Sequence, residues 1–333
     1  FTIITFYEYF YIIYIFMNNF IKILIFILPI ILFILYKLFF IKFNSNNKED
    51  EDKDEAFKNS YTPKKKPVTF ICNHYKFKSN EEYDNRLKEY NKNGYMQYKL
   101  NNKMIFEWMN RTNKISNFSI TYCINELKKH IKSPLKQIYN KYYFISVVVM
   151  FRYEDDYLEE WLHYYILHGI EHFFMYSNNN SKKTNIILQP YIDKGYITLI
   201  EWNDEVLDNI NVKLRRQSWN DYGKLSQQNL AFIDFVKNHK HKTKWIIKVD
   251  VDEFIYPSNK KFKIKDILQE SSKKYYLTPR IDFGNNNHIK KPKGLIIENY
   301  TKSEIKPSSY KSIALTKFIS NKDKGGAHTF KLL

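Results

Sequence analysis

Glycine is scarce in this chain, and the shortage excludes several classes of protein. Only 8 of the 333 residues are glycine, whereas average usage of about 7% predicts roughly three times as many. Collagen and Gly/Ser linkers are excluded, and so are glycine-rich phosphate loops, because neither GxGxxG nor GxxxxGK[ST] occurs. Asn, Lys, Ile, Tyr and Phe are abundant instead. Their codons are A/T-rich, so part of this composition reflects the coding DNA.

Cysteine is also rare, with 2 in the chain. Cys72 and Cys123 lie far apart in the sequence and lack the spacing of zinc ligands, which argues against a zinc site. A disulfide between them stays open, because it requires an oxidising compartment and two cysteines alone do not establish one.

Acidic residues are outnumbered, with 53 Lys+Arg against 35 Asp+Glu and a formal net charge of +18. Such a chain is compatible with a nucleic-acid or anionic-membrane partner. No zinc finger, RNP motif or leucine zipper accompanies the lysines. We therefore interpret the charge as a codon-biased surface and expect no nucleic acid to bind. A basic nucleic-acid-binding protein is the more distant alternative.

Residues 1–43 are typical of a membrane anchor. The stretch Ile23–Ile41 approaches the roughly 20 apolar residues that a membrane-spanning helix needs, provided that Lys37 extends to the interface. A buried core helix and a cleaved signal sequence are the alternatives, but no small-residue cleavage site follows. Lysines flank both ends, so the positive-inside rule gives no orientation. We expect a single-pass anchor.

Two further segments precede the main domain. Residues 44–67 are highly charged without an apolar period, which predicts a solvated stem. Residues 68–140 are interpreted as an accessory lead-in of unknown fold, with a candidate strand at Val68–Cys72 and a candidate helix at Cys123–Ile131.

Residues 141–333 carry the pattern of an α/β domain. The run FISVVVMF is continuously apolar and β-branched, which is typical of a strand buried on both faces. Strands alternating with helices predict a mainly parallel sheet with helices on both faces and ligands at the carboxyl ends of the strands. The predicted strands are Phe144–Phe151, His172–Tyr176, Tyr196–Trp202 and Trp245–Val249; the predicted helices cover residues 154–169, 186–192 and 226–239.

The fourth predicted strand ends in the sequence WIIKVDVDEFIYP. Asp250 and Asp252 stand two positions apart, and in an extended segment such residues point the same way. Two carboxylates there suit a hard cation such as Mg²⁺ or Mn²⁺ that also binds phosphates. A solvated acidic turn is the bland alternative. A DxD phosphatase places its motif on its first strand, and an EF-hand requires a central glycine that this loop lacks.

Several motifs occur in a consistent order: RYE, YLEEW, HGIEHFFMYSNNNS, QQ, WIIKVDVDEF, RIDFGNNNH, GLIIENYT and GAHTF. From about Phe144 to its end, the chain therefore resembles glycosyltransferase family 92 and the neighbouring glycosyltransferase-2-like group. The resemblance implies a GT-A fold, which is Rossmann-like and here follows a transmembrane helix and stem. One departure is Asn287, which stands where the family commonly has glycine.

The resemblance implies an enzyme that transfers a hexose, galactose-like, from a UDP-sugar with the help of Mn²⁺ or Mg²⁺. The expected acceptor is a glycan, glycoprotein or glycolipid, and we expect inversion at the anomeric carbon. The resemblance also implies a type II membrane protein of the Golgi or ER with a luminal catalytic domain, in host secretory membranes if the chain is viral. A catalytically inactive, membrane-tethered GT-A-like binding module is the alternative.

The resemblance also assigns roles to individual residues. The metal ligands are expected to be Asp250, Asp252 and His328. The expected donor-binding residues are Arg152, Glu154, Asn178, Gln228 and Asp250, and His288 is expected on the acceptor side. The catalytic base is left open among Asp282, Glu298 and Glu253.

Overall fold

Eight strands form one sheet in the part of the chain that the computed structural model describes, residues 68–75, 78–92, 102–178, 181–203, 227–321, 326 and 328–333. The predicted anchor (1–43) and stem (44–67) lie outside the described residues. Within the described ranges, no helix combines the length and the apolar character needed to cross a bilayer.

The elements follow one another in an alternating order. The strands are β1 (Phe70–His74), β2 (Ile115–Ser116), β3 (Tyr143–Phe151), β4 (His172–Ser177), β5 (Ile197–Glu201), β6 (Thr243–Lys248), β7 (Glu253–Pro257), β8 (Tyr275–Asp282), β9 (Lys302–Ser303) and β10 (Ser309–Leu315). The α-helices are α1 (Asn80–Lys92), α2 (Asn102–Thr112), α3 (Ile124–Ile131), α4 (Leu158–Leu167), α5 (Lys182–Asp193), α6 (Gln227–Asn238), α7 (Ile264–Gln269) and α8 (Ile296–Asn299).

The strand order of the large sheet is β5-β4-β3-β6-β10-β8-β1-β7. Strands β5, β4, β3 and β6 are parallel, and β10 is antiparallel to both β6 and β8. Two antiparallel steps restore the direction, so β8 and its parallel neighbour β1 run the same way as β6. The carboxyl ends of these six strands therefore meet at one edge, where β10 and β7 begin. This edge is called the carboxyl edge below.

Helices cover both faces of the sheet, as predicted. Val147 and Val149 of β3 pack in one cluster with Trp161 of α4, and Val148 packs in a second cluster with Phe232 of α6. All five side chains are buried, and complete burial of one valine stabilises the fold by about 1.5–3 kcal/mol. The continuous apolar run of β3 thus has its cause in a strand covered on both sides.

The four predicted strands are confirmed as β3, β4, β5 and β6, each with ends within two residues of the prediction. The helix predicted from Glu154 begins instead at Leu158. Residues before it form a turn, in which Tyr153 has a φ of 57° and the Tyr157 amide donates to the Glu154 carbonyl. The acidic residues therefore precede the helix and leave its first turn to Glu159 and Glu160.

The segment predicted as an accessory lead-in supplies a strand of the large sheet. Strand β1 lies between β8 and β7, where Cys72 is opposite Arg280 on one side and Ile255 on the other. The compact unit that contains β1 runs from Val68 to Leu333. The strand also ends two residues later than predicted, at His74.

The two cysteines are buried, free thiols and form no disulfide. Burial raises the pKa of Cys123 to about 12, and burial likewise raises that of Cys72 well above its ordinary value. Both thiols therefore stay protonated and act as small apolar core residues.

Gly169 lies where the chain leaves α4, as its sequence position predicts. Its φ is +89°, a conformation that side chains with a Cβ rarely adopt. An added Cβ would lie 2.6 Å from the Cβ of Lys265. The glycine is therefore required both by its conformation and by the close approach of α7.

We expect Gly169→Ala to lower the free energy of unfolding by about 1–3 kcal/mol, because alanine is strained at positive φ and collides with Lys265. Urea unfolding followed by circular dichroism measures the change. Gly326→Ala is the matched control, since its added Cβ meets nothing closer than 3.6 Å. Equal midpoints for Gly169→Ala and the wild type would contradict the left-handed turn.

Candidate active site

Charged side chains gather at the carboxyl edge because several strands end or begin there. The sheet register places His74, the last residue of β1, opposite Asp282 of β8 and Glu253 of β7. Asp250 follows the end of β6, and Lys311 stands near the start of β10. The topology of the sheet therefore assembles a cluster of acidic and basic groups from segments distant in sequence.

Asp250 to Glu253 form a tight turn, called the DxD turn below. The Glu253 amide donates to the Asp250 carbonyl at 3.1 Å, and the Asp250 amide donates to Glu253 Oε2 at 2.9 Å. The prediction that this segment is extended is wrong, because the Glu253 carboxylate folds back and closes the turn. Asp252 is buried and Asp250 is half-buried.

The ammonium group of Lys311 pairs with two carboxylates of the DxD turn. It lies 2.9 Å from Asp250 Oδ2 and 2.8 Å from Glu253 Oε2, and its side chain is fully buried. Burial disfavours the charged form, but the Asp250 and Glu253 carboxylates outweigh it and raise the pKa of Lys311. Lys311 is thus a permanent positive charge in the interior, paired as such charges must be.

Two predicted donor-binding residues lie beside the turn. Gln228 Nε2 donates to Asp250 Oδ1 at 2.8 Å, so the amide and Lys311 hold the two oxygens of one carboxylate. Arg152, just after β3, donates to the side-chain oxygen of Gln227 at 3.2 Å. The structure therefore brings Asp250, Gln228 and Arg152 to one side of the carboxyl edge.

The other two predicted donor-binding residues have structural partners. Buried Asn178 donates through Nδ2 to the Trp202 carbonyl at 2.6 Å and thereby joins the ends of β4 and β5. Glu154 pairs with Lys78 at 3.3 Å, and the Lys78 ammonium lies 3.7 Å from the centre of the Tyr157 ring. Asn178 Oδ1 is buried and has no hydrogen-bond partner among the described residues.

Asp282 lies beside one imidazole and two guanidinium groups. His74 Nδ1 lies 2.7 Å from Asp282 Oδ1, Arg280 Nε lies 3.3 Å from the same oxygen, and Arg111 Nη2 lies 3.4 Å from Oδ2. Burial alone would raise the pKa of Asp282, but the hydrogen bond and charge of His74 and the charge of Arg280 hold it below its ordinary value. The carboxylate is therefore ionised and fully engaged.

The remaining base candidates differ in exposure. Glu253 is 0% exposed and is held by Lys311 and by Arg280, whose Nη1 is 3.5 Å from Glu253 Oε1. Glu298 lies on α8 with a side chain that is 37% exposed and pairs with Lys128 at 2.6 Å. Glu298 is thus the candidate with the greatest access to solvent.

His288 contacts residues at the end of α8 and so stabilises the loop in which it lies. Its Nε2 lies 3.2 Å from the Asn299 carbonyl, and its ring packs edge-on against Tyr300. The two residues before it, Asn286 and Asn287, have φ values of 52° and 65°. Asparagine tolerates this left-handed conformation better than most residues, which explains how Asn287 replaces the glycine common in the resembled family.

The charged groups of the carboxyl edge affect the pKa of His328. Burial, followed by the charges of Lys311 and Arg280, lowers the pKa of His328 to about 4, while Asp250 acts in the opposite direction. Its Nδ1 is buried and has no hydrogen-bond partner among the described residues. A neutral imidazole with an unpaired nitrogen fits the role of a metal ligand.

The protein side chains could hold a divalent cation only together with ligands from the substrate or solvent. Carboxylate oxygens and imidazole nitrogens are ligands that Mn²⁺ accepts, and Asp250, Asp252 and His328 supply them. Within the described ranges, however, no group of three His, Cys, Asp or Glu side chains is arranged to hold a metal. A cation here would need further oxygens, as Mg²⁺ commonly takes from substrate phosphates.

The sequence patterns missed three residues at this site: His74, Arg280 and Lys311. Lys311 and Arg280 are the single basic residues of the strands SYKSIAL and YYLTPRID. A lone basic residue inside a strand is the signal that could have found these two, because a buried positive charge requires an acidic partner.

Comparisons with known proteins identify the family of this chain. The model of glycosyltransferase family 92 matches residues 141–324, more than half of the chain. A protein of Oryza sativa subsp. japonica named as a glycosyltransferase family 92 protein is 24% identical over 178 residues, 51% of this chain. The chain covers 26% of that relative's length, and no solved structure matches significantly. On the family match, this chain belongs to glycosyltransferase family 92.

Proposed function

We propose that this chain is a metal-dependent glycosyltransferase that moves a hexose, galactose-like, from a UDP-sugar onto a glycan acceptor with inversion. The observation that carries this function is the DxD turn at the carboxyl edge of a mainly parallel sheet, in a chain of this family. Ligands of open α/β sheets bind at that edge. The acceptor is proposed to be a glycan on a glycoprotein or glycolipid.

Each residue at the edge has a task in this proposal. Asp250 and Asp252 hold the cation, and His328 is the proposed imidazole ligand. Lys311 and Gln228 fix the Asp250 carboxylate at 2.9 and 2.8 Å, so that it need not reorganise when the donor binds. When bound, Mn²⁺ or Mg²⁺ would supply positive charge against the diphosphate of the departing UDP.

Arg152, Glu154 and Asn178 are proposed to border the nucleotide, because each follows a strand at the carboxyl edge. Arg152 already lies beside Gln227, and the unpaired Oδ1 of Asn178 could accept a hydrogen bond from a donor N–H or hydroxyl group. His288 is proposed to shape the acceptor side through the loop that it holds.

We propose Glu298 as the base that accepts the proton of the acceptor hydroxyl. Asp282 would have to give up its contacts with His74, Arg280 and Arg111 to do so. Glu253 would have to leave its pair with Lys311 in the interior. Glu298 has one partner on a partly exposed surface, and displacing a surface ion pair costs about 1 kcal/mol or less.

The alternative is a catalytically inactive module that binds glycans or nucleotides. One observation favours it: the Lys311 ammonium already lies 2.9 Å from Asp250 and neutralises part of the charge that would attract a cation. Metal-dependent donor binding separates the two, since the inactive module would show none.

Asp252→Asn should reduce transfer from UDP-galactose in the presence of Mn²⁺ by on the order of 100-fold or more, because a neutral amide is a weaker cation ligand than a carboxylate. A coupled assay for UDP release measures the rate with a panel of UDP-sugars. Asp193→Asn, an exposed residue at the end of α5, is the matched control. An unchanged rate of transfer in Asp252→Asn would contradict the metal-dependent mechanism.

Glu298→Gln should lower kcat by about 10²–10⁴-fold while leaving UDP binding intact, since only proton transfer from the acceptor is lost. Calorimetry measures UDP binding and the UDP-release assay measures kcat. The exposed Glu126→Gln on α3 is the control for loss of a surface carboxylate. A normal kcat in Glu298→Gln, together with a large loss of kcat in a folded Asp282→Asn measured at saturating Mn²⁺, would transfer the base role to Asp282.

We also propose that residues 1–43 anchor the chain in Golgi or ER membranes, with residues 68–333 in the lumen. Expressed in eukaryotic cells with a carboxyl-terminal tag, the chain should resist carbonate extraction, and protease should not reach the tag in intact microsomes. Deleting residues 1–43 should release the chain from the membrane. A tag digested in intact microsomes would contradict the type II orientation.

A further inference from the structure

We propose that His74 is a further metal-binding residue: its Nε2 joins the Asp252 carboxylate at the proposed cation site, and Asp282 fixes the imidazole through Nδ1. This inference rests on the proposed function for the identity of the cation. It places a ligand in β1, which lies before the segment 141–324 that the family model matches.

The backbone fixes His74 beside the DxD turn. The amide of Tyr75, the next residue, donates to the Asp252 carbonyl at 2.8 Å, and the Phe283 amide donates to the His74 carbonyl at 2.8 Å. His74 is thus tied through its own peptide groups to the end of β8 and to the DxD turn. Phe70 and Cys72 precede it on the same face of β1 and are buried, which directs the imidazole inward.

The side chain of His74 bridges two carboxylates, but it contacts them unequally. Nδ1 is 2.7 Å from Asp282 Oδ1, a hydrogen-bond distance, whereas Nε2 is 3.7 Å from Asp252 Oδ2. The second separation is too long for a hydrogen bond. It is close to the separation of about 3.0–3.5 Å between neighbouring ligands that each lie roughly 2.1 Å from one cation.

Orientation by a carboxylate is a property of metal-binding histidines. Such a histidine almost always donates its other ring N–H to a carboxylate, carbonyl or water, which fixes the tautomer and leaves the ligating nitrogen with its lone pair. Asp282 has that relation to His74, and Arg280 and Arg111 hold Asp282 in turn. The two arginine contacts of Asp282 are then explained as support for a residue that orients a ligand.

The protein need not complete the ligand shell alone at a site that also receives a diphosphate. The described residues contain no group of three ligands able to hold a metal alone, and a cation bound to one or two carboxylates commonly completes its shell with substrate phosphates and water.

Pulsed electron paramagnetic resonance of Mn²⁺ tests this inference, because it detects nitrogen bound directly to the ion. We expect the full 333-residue chain, loaded with Mn²⁺ and UDP, to show a coupled nitrogen that changes its signature when all histidines carry ¹⁵N. Wild-type protein without a coupled histidine nitrogen would overturn the inference, and this result requires no variant.

Variants then identify the histidine. We expect His74→Gln to remove one coupled nitrogen and to weaken Mn²⁺ binding at least 10-fold, and Asp282→Asn to weaken it about 10–100-fold with the nitrogen retained. His241→Gln, at an exposed position after α6, is the control and should change neither. Thermal unfolding without metal reports whether each variant is folded.

His328→Gln decides the matter if His74→Gln does not fold. Retention of a coupled nitrogen in His328→Gln supports His74 as its source, whereas loss of every coupled nitrogen overturns the assignment. Failure of the proposed function looks different: Mn²⁺ would still couple to a histidine, but no UDP-sugar would be bound or transferred. Mn²⁺-dependent transfer without nitrogen coupling would refute both imidazole ligands, His74 and His328, and would leave the proposed transfer reaction standing.

Discussion

The buried ammonium of Lys311 is the contact on which the arrangement at the carboxyl edge depends. Lys311 stands on β10, between β6 and β8, and pairs with Asp250 at 2.9 Å and Glu253 at 2.8 Å. Removing one partner from such a buried pair typically costs about 3–5 kcal/mol. Without Lys311, the buried carboxylate of Glu253 and the half-buried carboxylate of Asp250 would lie close together without a shared positive charge. Strand β10 therefore stabilises the conformation of the DxD turn through the positive charge of Lys311.

Local patterns were sufficient to predict the core of the fold. The apolar run of β3, the alternation of strands and helices and the position of Gly169 each depend on neighbours close in sequence, and the structure confirms them. The acidic pair was also found, but its conformation was not. The carboxylate of Glu253 closes the turn onto the Asp250 amide, and no period in the sequence encodes that choice.

The contribution of β1 could not be predicted, for a different physical reason. Its partners β7 and β8 lie far along the chain, so the segment can be recognised as a strand of the sheet only when that pairing is known. The same pairing determines that His74 stands between Glu253 and Asp282. The pairing of β1 with strands distant in sequence therefore explains why both the strand and His74 were missed by the sequence patterns.

Charge balance explains how an acidic turn already paired with a lysine can still attract a cation. Lys311 neutralises part of Asp250 and Glu253, and Arg280 contacts both Glu253 and Asp282. His74 Nε2 lies 3.7 Å from Asp252 Oδ2, while Lys311 and Gln228 hold the two carboxylate oxygens of Asp250. In the proposed function, His74 and Asp252 would offer a cation an imidazole nitrogen and a carboxylate oxygen side by side. The contacts of Asp250 would keep its carboxylate fixed beside them.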